Sequence, residues 1–303
     1  MADVPGLPAT PARPAGVPRL SLEERLLQES LLIEAEEACK AGAVGFMARL
    51  LVQTTLPHSR QDSLCFIRTN GALQVSVSAH PLLGLPYGRY PRLLMAWVTT
   101  EAVRTRDPVL KLGPSLSAFM ADLGLLPRGG QYGPIGRLRD QMQRLFGATI
   151  GFTWDKRSEG EWHDAGFRVA GETHLLWNPF RPEQTTSWRS EVHLSPGFFE
   201  AVCRKPVPVD LRVLKVLRSP MALDLYCWLT YRNSYLAKPS RVPWPALEAQ
   251  FGSDYNDRRN FKRKFLTALR QVLVLYPSAR VEQVRGGLKL KPSPSHVPRR
   301  LEP

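Results

Sequence analysis

The pattern of hydrophobic residues first becomes periodic at residue 21, where it predicts a helix. Ser21 and Glu24 have the spacing of a capping box, in which each side chain bonds the other residue's backbone N–H. Apolar residues recur at helical spacing to residue 35, and the helix is expected to run on, or restart, from Ala41 to Val52. Residues 73–78 alternate between apolar and polar side chains, which predicts a strand leading into a first compact unit.

Two later stretches of the chain share one order of predicted elements. The first has a helix from Tyr90 to about Arg106, a strand from Val109 to Leu112, and a short helix from Leu116 to Asp122. An amphipathic helix from Pro134 to Phe146 and a hairpin or small sheet of Thr149 to Trp154 and Gly166 to Leu176 complete it. The second has helices from Pro220 to about Leu236, Trp244 to Gln250 and Asn256 to about Leu275, and a hairpin of Ala279 to Val284 with Leu288 to Lys291.

Helix, strand, short helix, basic helix and β-hairpin is the order of elements in a winged-helix domain. We therefore predict an α+β, mainly helical fold of two tandem winged-helix domains with an N-terminal helical extension. The predicted division is a disordered, proline-rich tail at 1–20, the extension at 21–60, the first winged helix at 61–190, the second, DNA-binding one at 191–292, and a flexible tail at 293–303.

The charge of the chain is strongly basic and unevenly distributed. The formal net charge is +14 and the isoelectric point is near 10.0, which favours binding to a polyanion. Residues 207–291 hold sixteen Lys or Arg against six Asp or Glu, whereas residues 21–40 hold six Glu against one Arg and one Lys. The C-terminal half is therefore the expected nucleic-acid-binding part.

The candidate DNA-binding residues lie on the two basic helices and on the second hairpin. Helical spacing predicts that one side of each helix is buried and that its basic residues point outward, where an Arg side chain can bond guanine or clamp a phosphate. In the first helix these candidates are Arg137, Gln141 and Arg144. In the second helix they are Arg258, Arg259, Lys262, Arg263 and Arg270, and in the hairpin Arg285 and Lys289.

Signals for catalysis, metal binding or membrane insertion are absent from the sequence. The six histidines and four cysteines show no metal-ligand spacing, and Gly84 to Gly88 is not followed by the Lys of a phosphate-binding loop. No apolar run reaches the roughly 20 residues of a membrane span. We therefore expect no metal, no cofactor, no enzyme activity and no membrane association, and a cytoplasmic location.

One long stretch of sequence resembles a known family. Residues 80–152, which contain GLPYGRYPRLLMAWVTTEAVRTRDPVLKLGPSLSAFMADLGL and YGPIGRLRDQMQRLFGATI, resemble the RepA family of plasmid-encoded replication initiators. The resemblance extends from GFMARLLVQTTLPH, at residues 45–58, to the hairpin that ends near Lys291. It implies binding to repeated sites at a plasmid origin, opening of AT-rich duplex, and recruitment of host replication proteins such as the initiator DnaA and the replicative helicase, without catalysis.

Other functions remain open at this point. A transcriptional repressor could have the same fold, because a winged helix does not distinguish repression from initiation. A nuclease or primase with an unrecognised active site is a third reading. By analogy with related initiators, a homodimer is expected for autoregulation and a monomer for origin binding.

Overall fold

The computed structural model describes residues 21–128, 133–156, 160–176, 190–252 and 257–298 and shows a mixed α+β protein. The helices in this part of the chain are α1 (Leu22–Ala35), α2 (Arg49–Gln53), α3 (Arg89–Thr105), α4 (Leu116–Asp122), α5 (Pro134–Gly147), α6 (Pro196–Arg204), α7 (Leu211–Val216), α8 (Pro220–Asn233), α9 (Trp244–Phe251) and α10 (Arg258–Leu275). The strands are β1 (Val44–Met47), β2 (Cys65–Asn70), β3 (Leu73–Ser78), β4 (Val109–Lys111), β5 (Thr149–Lys156), β6 (Glu161–Arg168), β7 (Ala170–His174), β8 (Glu191–Leu194), β9 (Val207–Asp210), β10 (Ser240–Pro243), β11 (Val281–Val284) and β12 (Gly287–Leu290).

The first half contains a four-stranded antiparallel sheet that is larger than the predicted hairpin. Its strand order is β2-β3-β5-β6, and Leu73, Val75 and Val77 turn inward from β3, as their alternation predicts. The expected pairing of residues 149–154 with 166–176 is only partly correct, because residues 161–165, expected in a turn, belong to β6. The chain then enters β7, which pairs with β8 instead.

Two three-stranded sheets give the two halves the same strand order. In the first half β4, the strand before the short helix α4, pairs with the last strand, giving the order β4-β8-β7. In the second half β10, the strand before α9, does the same, giving β10-β12-β11. The predicted hairpin of β11 and β12 is confirmed, but its turn is Arg285 and Gly286 and not Gly286 and Gly287, because Gly287 already pairs with Val284. Gly286 has a φ of 87°, which favours glycine.

The N-terminal extension packs against both halves of the chain, since β1 contacts α3 and the backbone N of Phe46 donates to Thr100 Oγ1 at 2.8 Å. The capping box of α1 is confirmed, since the backbone N of Glu24 lies 3.1 Å from Ser21 Oγ and that of Ser21 2.6 Å from Glu24 Oε2. A helix from Ala41 to Val52 is wrong, because Gly42 has a φ of 63° and the chain then forms β1 before the short α2. Strand β1 pairs with β9, and α1 packs against α7 and α10.

A buried ion pair joins the two halves. Arg92 on α3 donates from Nε and Nη2 to the two carboxylate oxygens of Asp224 on α8, each at 2.7 Å. His58 Nε2 lies 2.8 Å from the same carboxylate. The remaining guanidinium donors bond the carbonyl oxygens of Leu56, Pro57 and Gly88. The ion pair therefore connects α3, α8 and the segment that leads out of the extension.

The electrostatics of this ion pair favour ionised Asp224. Burial alone would raise the pKa of the Asp224 carboxyl group, because a low-dielectric interior disfavours charge. The positive charge of Arg92 and the hydrogen bonds from His58 and Arg92 outweigh burial and hold that pKa below its usual value. Asp224 is thus a carboxylate that neutralises a buried guanidinium.

The segment after β12, where a flexible tail was predicted, packs against the second half of the chain as far as it is described. Val297 is buried, and His296 Nδ1 lies 2.8 Å from the hydroxyl of Tyr226, which accepts from the backbone N of Asp210. Burial lowers the pKa of the His296 imidazole. The prediction of a flexible tail is therefore wrong for residues 293–298. Residues 299–303 and the predicted tail at 1–20 lie outside the described residues.

Removing the carboxylate of the buried ion pair should strongly destabilise the protein. We expect Asp224→Ala to lower the free energy of unfolding by about 3–5 kcal/mol, because Arg92 would stay buried without a counter-charge. The control is Glu101→Ala, which removes the half-buried partner of the exposed Arg104, 3.0 Å away, and should cost less than about 1 kcal/mol. Urea unfolding measures both. Equal losses in the two variants would contradict this role of Asp224.

Candidate nucleic-acid interface

Helix α10 has one aromatic side and one basic side. It begins at Asp257, whose carboxylate accepts from the backbone N of Arg259 at 3.0 Å. Phe261 and Phe265 lie on the inner side with ring centroids 5.6 Å apart, and Phe265 packs 5.7 Å from both Trp244 and Phe251. These rings hold α10 firmly against α9 and therefore fix the direction of its outer side.

The outer side of α10 presents a row of arginines. Arg259, Arg263 and Arg270 are exposed, as their spacing predicts, and Phe261 and Phe265 are fully buried. Arg259 and Arg263 are four residues apart and so are neighbours on the helix surface. Arg263 Nη2 donates to the side-chain oxygen of Asn260 at 2.9 Å, which steadies its guanidinium.

Two other predicted residues of α10 already have contacts within the protein. Arg258 Nε donates to Glu248 Oε2 on α9 at 2.7 Å. The Lys262 ammonium lies 5.0 Å from the centre of the Trp244 ring, a cation–π geometry. These contacts leave Arg258 and Lys262 less freedom than Arg259 to reach a ligand.

The second hairpin and the strand beside it carry further positive charge. Arg285 is exposed at the turn between β11 and β12, and Lys289 is half-buried on β12. Lys289 pairs across the sheet with Arg241 on β10 and with Glu282 on β11. Arg241 is exposed, and its Nη2 lies 3.4 Å from the carbonyl oxygen of Arg285. Arg241 was not among the candidates, since only strand pairing brings it beside them.

In the first half, α5 exposes only part of the predicted set. Arg137 is exposed, and so is Arg139, which was not among the candidates. Helical spacing puts these two side chains about 160° apart, so they do not form one continuous row. The candidate interface of α5 is therefore weaker than that of α10.

Gln141 does not lie on the exposed side of α5, so its predicted placement is wrong. Only 3% of its surface is exposed. Its side-chain oxygen accepts from the backbone N of Tyr87, and its nitrogen donates to Asp140, both at 2.8 Å. The loop at 84–88 covers this edge of the helix, and helical spacing alone does not reveal a covering loop.

Arg144 is also largely turned into the protein. Its Nε lies 2.9 Å from both carboxylate oxygens of Asp140, and Nη1 lies 3.4 Å from the carbonyl oxygen of Leu85. Its guanidinium lies 5.6 Å from the centre of the Tyr87 ring. Like Gln141, Arg144 holds the 84–88 loop against α5, and it is not the outward cation that was predicted.

The acidic helix α1 lies along the C-terminal part of α10. Ser30 Oγ donates to the carbonyl oxygen of Val274 at 2.6 Å. Leu26 and Ile33, on the same side of α1, are buried. The first turns of α10, with Arg259 and Arg263, are therefore the part of its basic side most open to a large ligand.

The described residues offer little for metal chemistry. Among them, no group of three or more His, Cys, Asp and Glu side chains could hold a metal ion. None of the helices in the described ranges is long and apolar enough to span a membrane.

Comparison with known proteins identifies a family. A family model described as plasmid encoded RepA protein matches residues 85–244, more than half of the chain. Two similar solved structures are crystal structures of domains 2 and 3 of RctB, each 13% identical to this chain. One covers 80% of this chain and 96% of its own, with a TM-score of 0.48. The other, of selenomethionine derivatives, covers 78% and 94%, with a TM-score of 0.46. No curated protein sequence matches.

Substitutions on α5 should separate structural residues from surface cations. We expect Gln141→Ala to lower the free energy of unfolding by about 1–3 kcal/mol, because the Tyr87 N–H would lose its acceptor. The matched control, Arg137→Ala on the same helix, should change stability by less than about 0.5 kcal/mol. Urea unfolding distinguishes them. A Gln141→Ala variant as stable as the control would show that the 84–88 loop does not depend on this contact.

Proposed function

Because the chain belongs to the family of plasmid-encoded RepA proteins, we propose that it initiates plasmid replication by binding repeated double-stranded DNA sites at an origin. The observation that carries the DNA-binding part is the exposed arginine row of α10, Arg259, Arg263 and Arg270, backed by an aromatic core. A basic helix held firmly by its core is a common means of reading a DNA sequence.

Helix α10 is the proposed recognition helix of a winged-helix domain. A helix of this kind enters the major groove with its N-terminal residues on the base edges. Arg259 and Arg263 lie in that part of α10, and an Arg side chain forms two hydrogen bonds to one guanine. The contact with Asn260 reduces the freedom that Arg263 would lose on binding.

The surrounding cations are proposed to contact the DNA backbone. Arg285, Lys289 and Arg241 lie on the hairpin and its neighbouring strand, the position of a wing. Contacts of this kind supply affinity that depends on salt but not on sequence. Arg137 on α5 would contribute in the same way from the first half. Gln141 and Arg144 are not included, because both hold the 84–88 loop.

The steps proposed after DNA binding are inferred from the family and not from the geometry of the structure. Binding to several repeats would open adjacent AT-rich duplex and recruit host replication proteins, such as DnaA and the replicative helicase. The protein would act in the cytoplasm, without a cofactor or a covalent step, and a homodimer would regulate its own gene.

Footprinting on the DNA that flanks its own gene tests the proposed function. We expect protection of several evenly spaced direct repeats beside an AT-rich stretch, at moderate salt and with competitor DNA present. Each bound copy would contact one repeat through α10. One protected inverted repeat over a promoter would instead indicate a dedicated repressor, and no protection at any DNA tested would contradict sequence-specific binding.

Truncating one arginine of the row should show whether α10 reads the base sequence. We expect Arg263→Ala to weaken binding to the cognate repeat by about 1–3 kcal/mol, which is the usual contribution of a bidentate base contact. The control is Arg204→Ala, which removes an exposed arginine of α6, outside the candidate interface. Titration against cognate and scrambled DNA measures both. Equal losses on the two DNAs would assign Arg263 to a phosphate, and no loss would remove it from the interface.

A further inference from the structure

Helix α1 is anchored along its whole length, so its outward side is well defined. On the inner side, Leu26 and Ile33 are buried and Ser30 bonds the carbonyl oxygen of Val274 on α10. At the C-terminal end, Arg212 Nη2 donates to the carbonyl oxygen of Glu36 at 2.9 Å. The side of α1 that points away from these contacts therefore faces solvent.

That outward side is apolar where a surface helix is normally polar. Leu27, Leu31 and Leu32 are 56%, 67% and 62% exposed. Scattered exposed leucines are ordinary, but these three lie within six residues on one side of one helix. Leu26 and Ile33 already supply the apolar stripe that holds α1 in place. The three exposed leucines thus lie largely outside the packing of the described chain.

The leucines are surrounded by negative charge. Glu23, Glu24 and Glu34 flank them on the same helix and are exposed, and Glu36 and Glu37 follow directly. The only cation of α1 is Arg25, which is half-buried. An acidic surface of this kind is unusual in a chain with a net charge of +14, and it cannot serve DNA binding, because it repels phosphate.

We propose that the outward side of α1 is a docking surface for a second protein that presents an apolar groove bordered by Lys and Arg side chains. Leu27, Leu31 and Leu32 would enter the groove, and the glutamates would pair with its basic border. An amphipathic helix laid in a groove is a common mode of recognition. The inference rests on the proposed function, since such a partner is what an initiator would recruit to DNA.

The negative charge of α1 favours a protein with a basic border over a second copy of α1 or a lipid surface. Two copies of α1 packed on each other would bring glutamates against glutamates, with only Arg25 to offset them. A cytoplasmic lipid surface is negatively charged and would repel the same residues. Of the candidate occupants, a protein with a basic border complements both the charge and the leucines.

The first experiment separates docking from DNA binding. The full-length variant Leu27→Gln/Leu31→Gln keeps good helix formers at exposed positions, and the control Leu82→Gln changes a leucine that is 89% exposed elsewhere. We expect the double variant to footprint the origin as the wild type does. The copy number of an origin plasmid should fall by at least about tenfold, because loss of a central anchor lowers the affinity for the partner by that factor or more. The control should replicate normally.

The outcomes of this experiment are distinguishable. Unchanged copy number in the double variant would overturn the docking surface, and so would a parallel loss of footprint and replication, which would place α1 in the DNA interface. If the wild type itself neither footprints nor replicates the plasmid, the proposed function fails, and the crosslinking below tests the surface by itself.

The second experiment tests the charge of the partner. Glu34→Lys places a cation near the C-terminus of α1, where the helix dipole favours it, so stability should not fall although docking should. A photo-crosslinking amino acid at position 31 of the full chain then reports what covers the leucines in cells. A crosslink to a Lys- and Arg-bordered apolar groove of another protein, lost on Glu34→Lys, supports the proposal. A crosslink to a second copy or to residues 1–20, or none, overturns it.

Discussion

The buried ion pair between Arg92 and Asp224 determines how the two halves of the chain meet. Burying two charges is unfavourable unless each donor and acceptor is paired, and here the whole guanidinium fork is bonded to Asp224 and to three carbonyl oxygens. Helix α3, which carries Arg92, packs against α5, and α8, which carries Asp224, packs against α10. The ion pair therefore links the two helix pairs that carry the basic helices α5 and α10.

The extension covers part of the second half of the molecule and at the same time packs on α3 of the first half. Strand β1 pairs with β9, α1 packs on α10, and Gln250 Nε2 donates to the carbonyl oxygen of Gln53 in α2 at 2.8 Å. Residues 293–298 cover another part of the same half. A fragment starting at residue 191 would lack β1 and α1, so its hydrophobic surface under them would be exposed to water.

Helical periodicity predicted the features that depend on one helix alone. The capping box of Ser21 and Glu24 and the outward row of Arg259, Arg263 and Arg270 follow from spacing, because each depends only on residues within its own helix. Gln141 and Arg144 could not be placed in this way, since the loop that covers them comes from residues 84–88. The strand β1 is short, and it forms by pairing with β9, more than 150 residues later in the sequence. Local periodicity therefore could not predict it.

The packing of α1 on α10 places two surfaces of opposite charge side by side. Helix α1 reaches α10 at Val274, near its C-terminal end, and Arg259 and Arg263 lie in the first two turns. DNA read by those turns and a protein docked on the leucines of α1 would therefore touch different parts of one rigid pair of helices. The negatively charged DNA and the protein with a basic-bordered groove would therefore not compete for the same side chains. On this arrangement both could bind at once without moving α10, as an initiator that keeps its DNA while it holds a partner would need.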